Sequence, residues 1–99
     1  MDNRRLAEWL GYEVSDGVPK IICHKRGWAV PLETFDFTDP AIILMCLEKL
    51  YQSEKYDYTL NYDCLWWFSD DDRDLPNSQT HQTMEDAILA TAYQASAAE

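Results

Sequence analysis

Asp70, Asp72 and Asp74 stand at alternate positions in the run DDDRDLPNSQ, the spacing of the first three ligands of a calcium-binding loop. The pattern then breaks. Leu75 stands where such a loop needs glycine, and His81 where it needs a bidentate glutamate. No metal site is expected. His24 follows Cys23 directly, and neighbours along a strand point to opposite faces, so this thiol and imidazole are badly placed as nucleophile and base. The expectation is an exposed or hydrogen-bonded histidine. Cys23, Cys46 and Cys64 are an odd number without CxxC spacing, which argues against both a zinc site and a disulfide framework. There is no glycine-rich phosphate loop, no GxSxG and no HExxH. A non-catalytic chain without a cofactor is the expectation.

The chemistry that remains is that of binding. The chain carries 18 acids against 8 bases, a net charge of −10. Residues 1–30 hold four acids and five bases; the other fourteen acids lie in residues 31–99 beside only Lys49, Lys55 and Arg73. Such a surface repels nucleic acid and anionic membrane and attracts basic partners. Tyr56, Tyr58, Tyr62 and Trp66, together with Asp70, Asp71, Asp72 and Asp74, are the candidate partner-binding residues: aromatic anchors beside carboxylates that can stand in for phosphates. An alternative is a small-ligand pocket, for a nucleotide for example, formed between the sheets of two protomers and lined by Trp28, Trp66 and Trp67. A third reading makes the aromatic row a homodimer interface. Plain solubility would also account for the charge.

These side chains need elements to hold them. The clearest is a helix in FDFTDPAIILMCLEKLY, residues 35–51. Thr38 or Asp39 can cap it, and Pro40 fits its first turn. Ile43, Cys46, Leu47 and Leu50 share one face, while Ile42, Leu44 and Met45 cover much of the rest, so a central helix buried on more than one side is expected. Asp2 to Leu10 predicts a short helix ended by Gly11. Tyr12 to Val14, Lys20 to His24 and Trp28 to Val30 read as short extended segments, with turns at Ser15-Asp16-Gly17 and Lys25-Arg26-Gly27. The basic turn could touch an anion, but a polar hairpin tip is the plainer reading. Pro19 and Pro31 favour edge positions.

Tyr56 to Asn61 alternates, with Tyr56, Tyr58 and Leu60 on one face. Asn61-Tyr62-Asp63 reads as a turn into a second strand, Cys64 to Ser69, apolar on both faces. Such a strand is either roofed on both sides or leaves one row bare for a partner. Asp70 to Gln79 reads as an acidic loop. Thr83 can cap a last helix with a stripe of Met84, Ile88, Ala92 and Ala95. The fold class expected is α+β: a small antiparallel sheet of about three to five strands packed with three helices, one domain over residues 1–99. No apolar run approaches the roughly 20 residues that span a bilayer. MDNRRLAEWLGYEV holds no signal-peptide apolar region, so a cytoplasmic location is the expectation.

Four stretches together, LAEWLGYEV, FTDPAIILMCLEKL, WWF and THQTMEDAILATAYQA, resemble the phage ABA-sandwich domain, a family of small proteins of tailed phages and prophages. The resemblance implies an α/β sandwich, a small antiparallel sheet with helices packed on it. It implies no activity and no functional residue, and the acidic stretch at Asp70 to Asp74 departs from the family pattern. That setting, joined to the acidic charge and the aromatic candidates above, gives the expected function: a phage or prophage accessory protein that binds, and inhibits, a basic host protein such as a nucleic-acid-handling defence complex.

Overall fold

The computed structural model describes residues 2–71, 73–75 and 78–98. The chain opens with helix α1, Asn3–Trp9, whose Asp2 side chain accepts from the Arg5 amide as the N-cap. Its exit follows from Gly11. With φ +97° this residue occupies the left-handed region, and the Tyr12 amide bonds back to the Ala7 carbonyl at 3.1 Å while the Gly11 amide bonds to Glu8 at 3.0 Å. That pair of bonds is a Schellman ending.

Three short strands follow, β1 (Glu13–Val14), β2 (Lys20–Cys23) and β3 (Trp28–Pro31). They form an antiparallel meander with Val14 opposite Ile21 and Cys23 opposite Trp28. The proline rule holds for Pro31, which ends the edge strand β3, whereas Pro19 precedes the central strand β2 and only its carbonyl is used, by the Leu32 amide. A 3-10 turn at Leu32–Thr34 leads to helix α2, Pro40–Tyr51. Of the two possible caps it is Asp39 that serves, accepting from the Ala41 amide at 2.9 Å with Pro40 at the first helical position.

The second sheet is built from β4 (Tyr58–Asp63), β5 (Leu65–Asp70) and β6 (Arg73–Asp74), again antiparallel. Helix α3, Met84–Ala98, closes the described chain, with Thr83 Oγ1 accepting from the Asp86 amide at 3.1 Å. Among the described residues the fold is therefore α+β with three helices, as expected, but its strands divide between two three-stranded sheets instead of sharing one. Helix α3 joins the halves: it packs on α1, α2 and β5, while α2 also touches β4. The small side chains Ala87, Ala92 and Ala95, all buried, let it come close to its neighbours. Its own Ile88 and, from the other elements, Leu6, Ile21, Cys46, Leu50 and Phe68 are the largest side chains sealed from solvent.

Three expectations need correction. Helix α2 buries Ile42, Ile43, Cys46 and Leu50, but Leu44 is 55% and Tyr51 56% exposed. These two are seven residues apart and so share one side of the helix, which faces solvent. The hairpin turn is not at Asn61-Tyr62-Asp63, because Tyr62 is in strand and pairs with Trp66. The chain reverses at Cys64, which takes φ +63° between paired Asp63 and Leu65 and so is not part of the second strand. The stretch after Asp70 is not simply a loop. Ser69 and Asp70 pair with Asp74 and Arg73, Ser78 Oγ donates to the Phe68 carbonyl, and His81 exchanges two 2.7 Å backbone bonds with Trp66. These contacts occupy the outer edge of β5, which would otherwise carry open donors and acceptors.

Candidate functional site

The register of β4 on β5 sorts the candidate residues. Tyr58 opposite Asp70, Leu60 opposite Phe68 and Tyr62 opposite Trp66 share one face; Thr59, Asn61, Trp67 and Ser69 share the other. Helices α2 and α3 pack on this pair of strands, and the inner part of the first face is buried. Phe68 and Tyr58 are buried there, their rings 6.3 Å apart and nearly perpendicular. Toward the reversal at Cys64 the cover ends. Tyr62 is 62% exposed and leans on the half-buried Trp66, ring centroids 4.5 Å apart. Leu65 beside them is 39% exposed. This hairpin tip is an apolar, aromatic prominence, held from below by the His81 backbone bonds to Trp66 and flanked by the exposed carboxylate of Asp63.

Tyr58 is therefore misplaced among the exposed aromatics: the inward row of the strand carries it into the core. Tyr56 is half-buried, its ring edge-on to Tyr58 at 5.7 Å and covered by the Lys55 ammonium at 5.5 Å. The acids lie at the opposite end of the hairpin from the tip. Asp70 is half-buried and structural, accepting from the Asp57 amide at 2.8 Å. Asp71 sits at φ +53°; its amide bonds to the Asp57 carbonyl, and its own carbonyl accepts from Ser69 Oγ at 3.0 Å. Asp74 is exposed on β6, and Asp72 lies outside the described residues. Four steps along the strand, about 13 Å, separate Trp66 from Asp70. Aromatic tip and acidic corner are two ends of one hairpin, not one patch. Among the described residues no group of three or more His, Cys, Asp or Glu side chains could hold a metal ion.

The three pocket tryptophans do not meet within one chain. Trp28 is on β3 of the first sheet, while Trp66 and Trp67 point to opposite faces of β5 in the second. Trp67 lines an open hollow of about 620 Å³ with Asp74, Leu75 and Ser78. Trp28 instead joins an aromatic group that sequence reasoning missed. Tyr12 lies 5.8 Å from Trp28 and 5.9 Å from Phe35, Trp28 stacks on Phe35 at 6.2 Å, and Phe37 meets Phe35 edge-on at 4.8 Å. Tyr12 also donates to the Met45 sulfur at 3.4 Å, and burial pushes its phenol up while nearby Arg26 pulls the other way. Four segments far apart in the chain supply these groups, so no local spacing could have signalled them. His24 is hydrogen-bonded, to Glu13 on the neighbouring strand, and both side chains are exposed.

No helix among the described residues is long and apolar enough to cross a membrane. No family model matches the chain, and neither does any curated protein or solved structure.

Proposed function

We propose that this chain is a small acidic accessory protein of phage or prophage origin, acting in the host cytoplasm without catalysis by binding and inhibiting a basic host protein. A nucleic-acid-handling defence complex is the kind of target that suits it. One observation carries the reading: Tyr62, its ring tilted against that of Trp66, stands largely in solvent at the hairpin tip. Paired rings of this kind are the usual anchors of protein interfaces, since they bury much area at low entropic cost. Supporting it is the charge of the chain, −10 overall, with fourteen of its acids in residues 31–99. Carboxylates elsewhere on the same surface steer a basic partner toward such an anchor and reject nucleic acid.

The test is affinity capture from a bacterial host lysate over a salt series. A basic protein retained at low salt and released as salt rises is the expected result, because exposed charges separated by more than about 8 Å are screened at 0.15 M. Capture of nothing at low salt, or capture indifferent to salt, would contradict the reading.

A further inference from the structure

A second concavity lies away from the hairpin tip, between the first sheet and the start of α2. It measures about 400 Å³, within the roughly 300–1,000 Å³ of small-molecule sites. Tyr12, Trp28 and Phe35 form its apolar wall, their rings packed on one another and so fixed in place. Two kinds of charge edge it. Arg26, on the turn between β2 and β3, supplies a guanidinium; Asp36 and Asp39, before α2, supply carboxylates. Opposite charges on one rim would ordinarily pair. Here they do not: the described ion pairs join Arg4 to Glu8 and Asp16, Arg5 to Asp2, and His24 to Glu13. Each carboxylate uses one oxygen locally. Oδ1 of Asp36 accepts from the Thr38 amide and hydroxyl, and Oδ1 of Asp39 from the Ala41 amide. Among the described residues no hydrogen bond occupies the second oxygen of either.

We propose that this cavity binds a small zwitterion with an aromatic or apolar body, of the α-amino-acid class. The rings take the body, Arg26 the carboxylate, and Asp36 with Asp39 the ammonium. A lone cation of the same size would face Arg26 and a lone anion would face two carboxylates; only a ligand carrying both charges satisfies the whole rim. The site is independent of the hairpin tip and of what docks there.

The test uses the full chain and three probes of one shape: L-phenylalanine, phenethylamine, which lacks the carboxylate, and 3-phenylpropionate, which lacks the ammonium. Binding is read by NMR from the Trp28 indole N–H. A saturable shift with phenylalanine is expected, with each singly charged probe at least roughly tenfold weaker, the size of one lost charge-assisted hydrogen bond. Arg26→Ala should bring phenylalanine down to the affinity of phenethylamine. Asp36→Asn keeps an acceptor for Thr38 and should bring phenylalanine toward 3-phenylpropionate. The remaining resonances report that each variant is folded. No saturable Trp28 shift with phenylalanine, equal affinity for the three probes, or an Arg26→Ala chain that binds phenylalanine as the parent does would each overturn the assignment.

Discussion

Cys46 faces inward from α2 with no exposed surface, and burial pushes its thiol up to about 11. The consequence is a pH dependence of stability with a definite sign. Below pH 9 the thiol is protonated in both folded and unfolded chains and costs nothing. Between about 9 and 11 the unfolded chain releases its proton while the folded one keeps it, so stability falls. The loss approaches roughly 2–3 kcal/mol at the top of that window. Urea unfolding at pH 7.5 and pH 10.5 should show it, and Cys46→Ala should remove most of the difference. Tyr12 and Tyr93, both raised by burial, supply a smaller remainder of the same sign. Burial of this cysteine was legible, since its helical spacing places it with Ile43 and Leu50. The fates of Tyr58 and Tyr62 were not. Both belong to one alternating row, and only the length of the helices covering that row decides which ring is sealed and which stands free.

Single residues matter at this scale through the elements they end or start. Asp39→Ala removes the side-chain acceptor at the start of α2 and should cost about 1 kcal/mol. Gly11→Ala forces a side chain into the left-handed region that closes α1, at φ +97°, and should cost about 1–2 kcal/mol. Denaturant midpoints at constant slope measure both. These helix ends were readable because capping chemistry is local: a carboxylate, a proline and a glycine act on backbone groups within one turn. The hairpin shows the opposite case. Asn61-Tyr62-Asp63 has the composition of a turn, yet the ring contact of Tyr62 with Trp66 and the cross-strand pairing extend β4 through it and move the reversal to Cys64. Cross-strand packing outweighs residue-type preference here. Among the described residues the acidic run after Asp70 likewise gains structure from distant partners, the edge of β5 and the Asp57 carbonyl.

Over the whole molecule, strand alternation could announce β-structure but not how strands are shared. Among the described residues six short strands form two sheets, and α3 packs on α1, α2 and β5 together. That division sends Trp28 to one sheet and Trp66 and Trp67 to the other, and it leaves the tip of the second hairpin without a roof. The acidic charge of residues 31–99 was plain from composition, whereas its position relative to the aromatic anchor was not: acids and rings occupy opposite ends of the same hairpin. A partner that engages both must lie along β4 and β5, with the rings as anchor and the carboxylates as guide. The most direct measurement is therefore capture from host lysate by the parent chain and by Tyr62→Ala side by side. The substitution removes an exposed ring and its cross-strand contact with Trp66, and should lower unfolding stability by no more than roughly 1 kcal/mol, which leaves the chain folded. Loss of the salt-sensitive basic partner by the Tyr62→Ala chain is the expected result; retention of the same partner at the same salt concentration would contradict a docking role for the hairpin tip.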